Sequence, residues 1–307
     1  MIDLVRRYAV VALFAVLFVT LAFAADSFLT FTNLINIVNQ NAPLAIVAVG
    51  MTFVIVGGGF DLSAGAVLAV SSVLAAWIAV NVDGTLGLAA APVVGLVLGI
   101  VNGLLITLLR IHSFLATLAS SLVLRGLAVL ITGGALITVT EPGFTTLGQG
   151  RIGGVYHAVI ALLVFVLLGM VLLNRTAFGR YLFAAGSNAD AAELSGVRVD
   201  VVRVGAFAFS GLAAGVAAAI AVSRIGSGQP LAGTGLELQA IAAVILGGTS
   251  IRGGAGAVWR SLTGVYLLAL VNNGFNILDA DPFYKDLTTG VIIVSAVALS
   301  AAGRRRA

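Results

Sequence analysis

The sequence contains no cysteine, and charged residues occupy only 9% of its 307 positions. Without cysteine the chain has no disulfide framework, no thiol nucleophile and no zinc site built on thiolates. Its two histidines, His112 and His157, are too few and too far apart for a histidine metal cluster. A soluble domain carries roughly 25% charged residues, so this chain has too few polar groups to cover a surface that faces water.

Hydrophobic residues make up 60% of the sequence and occur in long continuous runs. A helix that spans a bilayer needs about 20 mostly apolar residues. Strands of a membrane barrel would instead alternate strictly over roughly 10 residues. We therefore predict an all-α fold, a polytopic transmembrane helical bundle forming one domain over residues 1–307. It has about ten spans, near residues 8–24, 43–58, 64–82, 86–109, 114–132, 155–173, 203–222, 236–249, 256–273 and 285–302.

The basic residues predict the orientation of the spans, because Lys and Arg concentrate in cytoplasmic loops. With a cytoplasmic N-terminus and ten spans, eleven of the sixteen Lys and Arg fall on the cytoplasmic side and three on the outer side. We expect both termini to be cytoplasmic, and the net charge of +4 to reflect this bias rather than nucleic-acid binding. The apolar run after Arg6 and Arg7 also resembles a signal peptide. Its cleavage would leave every later loop on the same side.

Motifs of common enzyme classes are missing. The sequence contains no GxxxxGK[ST] phosphate loop, no HExxH and no GxSxG. We therefore expect a chain that is not an enzyme, that does not bind ATP through a Walker motif and that holds no cofactor or metal of its own.

Polar side chains at membrane depth are candidates for a translocation path, because a charge there costs roughly 2.5–3.5 kcal/mol on insertion scales. Asp61 can line such a path, or it can cap the helix that follows it. Arg125 lies inside a predicted span and should face protein or water. Amides can bind a polar solute or join helices to one another. The candidates for the path are Asp61, Ser63, Asn102, Gly247, Gly248, Thr249, Asn272 and Asn273.

Two glycine-rich segments, 57–67 and 247–258, resemble each other when one residue is inserted. Each follows a short predicted span. Paired segments of this kind in the two halves of a transporter mark the permeation path, although chance similarity between Gly- and Ala-rich stretches would look the same.

The loop 174–203 is the longest polar stretch and is predicted to be cytoplasmic. Asn188 or Asp190 can cap a short helix over residues 189–195, which Gly196 can end. Its small and mixed surface suits docking in a groove on another protein. The alternative is a solvated helix without a partner.

Five segments together resemble the permease subunits of bacterial ABC importers for ribose and related monosaccharides. They cover residues 56–72, 113–128, 179–199, 243–259 and 272–297. The resemblance implies an arrangement similar to the vitamin B12 importer permease, with two permease chains, identical or different, in the bacterial inner membrane. It also implies a cytoplasmic ATP-binding cassette subunit that holds ATP and Mg²⁺, and a periplasmic or lipid-anchored sugar-binding protein. The residues that would couple to the ATPase are Gly186, Asn188, Ala191, Ala192, Glu193, Leu194, Ser195 and Gly196.

Other functions remain open at this point. A sister importer would carry another small solute, such as a branched-chain amino acid, a nucleoside or a furanosyl signal. An ion-coupled secondary transporter would need buried carboxylates as proton relays, and Asp61 is the one good candidate. A purely structural membrane protein would leave the docking loop unexplained.

Overall fold

The computed structural model describes residues 2–279 and, beyond them, residues 281, 284, 287, 288, 290, 291 and 294, with side chains from residue 10 onwards. Helices dominate these residues, and the four strands are two residues long. The helices are α1 Ile2–Ala24, α2 Phe31–Val56, α3 Ala64–Asn81, α4 Gly84–Leu108, α5 Ser113–Thr132, α6 Thr146–Gln149, α7 His157–Arg175, α8 Ala177–Ser187, α9 Ala189–Leu194, α10 Val199–Ile225, α11 Leu236–Leu246 and α12 Val258–Ile277. The strands are β1 Ile137–Thr138, β2 Arg151–Ile152, β3 Val155–Tyr156 and β4 Ser227–Gly228.

Six of the described helices are long and apolar enough to cross a membrane, namely α2, α3, α4, α5, α7 and α10. The stretch Val10–Ala24 and helix α11 are apolar but shorter. The prediction of an all-α, polytopic helical bundle is confirmed. The count of about ten spans stays a prediction, and the span predicted near 285–302 lies mostly outside the described residues.

The predicted spans at 64–82, 86–109 and 114–132 agree with α3, α4 and α5 to within two residues at each end. Helix α2 differs, because it begins twelve residues before the predicted start at 43. Its first turns carry polar residues that lower the hydropathy, yet Thr30 caps them by accepting a hydrogen bond from Asn33 N at 3.3 Å. Pro43 lies inside the helix and does not end it.

Helix α10 lies at the centre of the bundle and packs against α2, α3 and α4. Its contact with α4 is made by glycines, at Gly95 and Gly99 of α4 and at Gly211 and Gly215 of α10. A Cβ atom on any of the four would clash with the backbone of the facing helix. Lipid supplies no hydrophobic force between helices, so close van der Waals contact of this kind stabilises the pair.

The helix connections collect at two ends of the bundle. One end, here called the α9 end, contains the connections 57–63, 109–112, 176–198 and 247–257, and there Gly254 N donates to Val56 O at 2.9 Å. At the opposite end, the β end, β1 pairs with β4 and β2 pairs with β3.

The charges differ between these two ends as the sequence predicts. The β end has Arg151 in β2 and Arg224 in the last turn of α10. The α9 end has arginines in its connections and in the adjoining helix turns, at Arg110, Arg175, Arg180, Arg198, Arg203 and Arg252.

Candidate translocation site and docking surface

Asp61 lies at the centre of a buried polar network at the α9 end. Its side chain is 2% exposed, and its Oδ1 atom accepts hydrogen bonds from Ser63 N at 2.9 Å and Ser63 Oγ at 2.5 Å. Its Oδ2 atom accepts from Ser210 Oγ of α10 at 2.7 Å. Asn102 of α4 donates from Nδ2 to Ser63 Oγ at 2.7 Å. Three of the residues predicted for the path, Asp61, Ser63 and Asn102, therefore meet in one network.

The network holds the connection 57–63 in place. Ser63 occupies the cap position of α3 but makes no side-chain capping bond, so Asp61 stabilises the turn before the helix instead. Thr117 of α5 adds a further contact, because its Oγ1 atom accepts from Leu62 N at 3.0 Å. Both carboxylate oxygens of Asp61 have donors, as buried polar groups require. The geometry thus favours the structural interpretation of Asp61 over an open position in the path.

The other predicted path residues lie apart from this network. Asn273 of α12 donates from Nδ2 to Asn33 Oδ1 of α2 at 2.9 Å, so it joins two helices. Asn272, beside it, is half-buried. Thr249 follows α11 and is 2% exposed, and among the described residues its hydroxyl has no hydrogen-bond partner.

The two similar glycine segments share one backbone geometry. Gly57 and Gly247 donate their N–H groups to the carbonyls four residues earlier, at 2.9 and 2.8 Å. Gly58 and Gly248 have φ values of +84° and +92°, and each donates to the carbonyl three residues earlier at 2.9 Å. This is the Schellman arrangement, in which glycine adopts the left-handed conformation that ends a helix. The resemblance predicted between the segments therefore extends to their conformation.

Helix α8 ends at a point where these two segments touch. A Cβ atom on Gly186 would lie 2.8 Å from Gly254 N and closer still to Val56 O, which are hydrogen-bonded to each other. A Cβ atom on Gly253 would lie 2.9 Å from Gly58 Cα. We call Val56, Gly58, Gly186, Gly253 and Gly254 the glycine junction. At this junction the backbone of α8 is packed directly against the backbone of both segments.

Helix α9 follows directly and matches the predicted short helix. Asn188 caps it, since its Oδ1 atom accepts from Ala191 N at 3.0 Å. Asp190 is not the cap but lies in the first turn, where a negative charge is favourable. Gly196, with φ of +85°, lies just after the helix end.

The predicted docking residues in α8, in α9 and just after α9 fall into two groups, one exposed and one packed against the rest of the chain. Leu194 is 91% exposed, and Ala191, Glu193 and Ser195 are exposed beside it. Ala192 is only 5% exposed and packs against the chain itself. Ala192 and Gly186 therefore position α9, whereas Leu194 and its neighbours form the free surface.

A cavity of about 590 Å³ opens beside α9. Hydropathy does not indicate it, because its charged residues come from separate parts of the chain, namely Arg110 after α4, Glu193 in α9, and Asp200 and Arg203 at the start of α10. One of them, Arg110, has φ of +53°, which is uncommon for a residue with a side chain. The polar and charged lining residues are Thr107, Arg110, His112, Ser113, Glu193, Asp200 and Arg203.

Glu237 is a further polar residue that sequence reasoning missed. It lies in the first turn of α11, within the span predicted at 236–249. A carboxylate inside an apolar run was the signal that could have identified it. The structure places it near Arg125 of α5, close enough for electrostatic attraction.

Comparison with known proteins agrees with this architecture. The family described as "Branched-chain amino acid transport system / permease component" matches residues 33–297. The chain is 43% identical over 288 residues to the ribose import permease protein RbsC of Bacillus subtilis strain 168, covering 92% of this chain and 89% of the relative. It is 38% identical over 299 residues to RbsC of Escherichia coli K12, covering 96% and 93%.

A third relative is the L-arabinose ABC transporter permease protein AraH of Azospirillum brasilense, which is 35% identical over 297 residues, covering 96% of this chain and 87% of the relative. No solved structure matches the chain significantly. These matches extend over nearly the whole sequence and confirm the resemblance drawn from its five segments. The chain belongs to this family of permease components of ABC transport systems.

Proposed function

We propose that this chain is the membrane permease of an ATP-driven importer that carries a monosaccharide such as ribose or arabinose into a bacterial cell. The relatives named for these two sugars are similar over nearly their full length. A separate ATPase subunit, a second permease chain and a sugar-binding protein on the outer side complete the importer. ATP and Mg²⁺ bind to the ATPase subunit and not to this chain.

The observation that carries the energy coupling is the exposed helix α9. Leu194 is 91% exposed in a polar connection that this proposal places in the cytoplasm. Burying a leucine side chain in a partner's groove contributes about 1.5–3 kcal/mol. The cap at Asn188 holds the helix in shape before a partner arrives, which reduces the entropy lost on docking.

The glycine junction connects this docking surface to the membrane domain. Helix α8 precedes α9 and ends on the two glycine segments, one from each half of the chain. When the ATPase moves α9, the contacts at Gly186 pass the displacement to both segments together. The cavity beside α9 leaves space into which α9 can move.

The distribution of arginine supports an orientation with the α9 end in the cytoplasm. Cytoplasmic loops carry the excess of Lys and Arg, and six of the described arginines listed above lie at this end. The ATPase then meets α9 on the side of the membrane where ATP is available. The β end faces outward, towards the binding protein.

A sister importer is the second candidate, because the description of the matching family names branched-chain amino acids. Its permease would have the same architecture and the same coupling surface. An ion-coupled transporter fits less well, since Asp61 has donors on both carboxylate oxygens and is held in a structural network. Uptake that needs no ATPase subunit and collapses with an ionophore would favour that reading.

The test is a purified complex with its ATPase and its binding protein. ATP hydrolysis is measured with ribose, arabinose, other monosaccharides, leucine and a nucleoside, each added in turn. Stimulation by one or a few sugars supports the proposal. Stimulation by leucine or by the nucleoside alone would assign the chain to a sister importer.

A further inference from the structure

Between α10 and α11 the chain enters the bundle without helical structure. A Cβ atom on Gly228 would clash with Ser72 and Ala76 of α3, and one on Gly233 would lie 3.0 Å from the backbone oxygen of Gly65 at the start of the same helix. Helix α3 rises about 16 Å between residues 65 and 76. The segment 228–233 therefore extends over about half the thickness of an apolar core of roughly 30 Å.

Lipid cannot satisfy the backbone of such a segment. Non-helical backbone at membrane depth occurs only where protein encloses it or where it lines a water-filled cavity. The described part of the chain encloses this segment only in part, because Gly228 and Pro230 are buried whereas Leu231 is 68% exposed and Thr234, just after the segment, is exposed as well. Gly228 pairs with Ile137 of β1, and beyond it the backbone forms local turns, such as Ala232 N to Gln229 O at 3.1 Å. In the assembled transporter a second chain must therefore cover the open side, or water must reach it.

Two charged side chains flank the segment. Arg125 of α5 donates from a terminal nitrogen to Ala232 O at 2.7 Å. The Oε2 atom of Glu237 is buried against Gly65, and among the described residues it has no hydrogen-bond partner. Gln239, two residues further along α11, is exposed. A cation and an anion thus lie beside one break in the helical structure, whereas Gln239 lies on another face of α11, because residues two apart on a helix do not face each other.

We propose that Arg125 and Glu237 form a polyol-binding site in the translocation path. This inference rests on the proposed function, and it names where the permease contacts its sugar. A carboxylate accepts hydrogen bonds from hydroxyl groups, and a guanidinium donates to them. Neighbouring hydroxyls of a sugar need this mixture of donors and acceptors. Discontinuous helices near the midplane are also where transporters bind their solutes.

The second permease chain completes the site. Helix α5 exposes a broad apolar face, including Leu122, Val123 and Leu127, next to Arg125. A charge facing lipid is strongly unfavourable. A second copy packed against this face would keep Arg125 away from lipid.

The absence of cysteine makes the site directly testable. Leu231→Cys and Thr234→Cys, both at exposed positions beside the proposed site, are placed in the complete complex in liposomes and treated with a water-soluble thiol reagent. Leu167→Cys is the matched control, because Leu167 is 62% exposed on α7, away from the proposed site. We expect both site variants to react at least ten times faster than the control, and ribose or arabinose to slow the reaction.

Each outcome decides a different point. Site cysteines that react no faster than the control would overturn the proposal. Fast reaction that no transported sugar slows would overturn the sugar contact. Fast reaction in a complex that takes up no sugar at all would contradict the proposed function and still support the position of the path.

A second variant tests the chemistry of recognition. Glu237→Gln keeps the shape of the side chain but replaces one acceptor oxygen with a donor. The relative uptake rates of ribose and arabinose should change by about tenfold, which corresponds to about 1.4 kcal/mol. Unchanged relative rates would show that Glu237 does not contact the sugar.

Discussion

Replacing Gly186 with alanine tests the transmission of movement from α9 to the membrane domain. The new Cβ atom would lie 2.8 Å from Gly254 N and closer still to Val56 O, within the distance that real Cβ atoms avoid. Both neighbours are backbone atoms, so neither can rotate away. The alanine must therefore break the hydrogen bond between Val56 and Gly254 or push α8 out of the junction.

The magnitude follows from these two effects. Overpacking a close contact costs about 1–3 kcal/mol. The net contribution of the hydrogen bond, 2.9 Å long in the native chain, is about 0.5–1.5 kcal/mol. Together they lower the free energy of unfolding by about 1.5–4.5 kcal/mol. If the strain acts on the balance between inward- and outward-open states, each 1.4 kcal/mol shifts that balance by about tenfold.

The assay compares thermal unfolding of the purified permease with ATP-driven sugar uptake by the full complex. Gly186→Ala should lower the melting temperature and reduce uptake at least about tenfold, while the ATPase still binds. Ser187→Ala is the matched control, because Ser187 is exposed and donates only to Phe183 O within its own helix at 2.8 Å. Unchanged melting and uptake in Gly186→Ala would refute the reasoning.

Three further predictions concern other contacts. Leu194→Ser should weaken binding of the ATPase about tenfold or more without changing the melting temperature of the isolated permease, because the side chain is exposed; equal affinities in a pull-down titration would contradict this. Asn188→Ala should destabilise α9 by about 1 kcal/mol and speed amide hydrogen exchange in residues 189–195, with exchange elsewhere as the control. Asp61→Ala should destabilise the permease by about 2–4 kcal/mol because it leaves the Ser210 hydroxyl and other buried donors without an acceptor, and a melting temperature equal to that of the native chain would show the network to be dispensable.

The sequence predicts most of the helical fold, because the bilayer requires long apolar helices. The predicted helix bounds are wrong where polar residues occur inside a helix. Hydropathy places the start of α2 too late, because polar residues in its first turns lower the hydropathy there. These turns are helical all the same, since Thr30 caps the helix and Asn33 pairs with Asn273. Hydropathy does not report such partners, because they lie far apart in the sequence.

The candidate site was predicted in parts. The helix after Asn188 follows from local capping chemistry, so its bounds were correct to within one residue. The glycine junction was not predicted, because Gly58, Gly186 and Gly253 come together only when three connections fold onto one another. Asp61 was recognised as unusual, but its donors Ser63 and Ser210 were needed to favour a structural role over a place in the path.

The most direct test of the central claim is ATP-driven uptake of radiolabelled ribose and arabinose into liposomes that contain the permease, its ATPase and its binding protein. The account predicts accumulation of one of these sugars against its gradient when all three proteins and ATP are present, and none when the ATPase subunit is omitted. Accumulation without the ATPase, or no uptake of any monosaccharide by the complete complex, would contradict it.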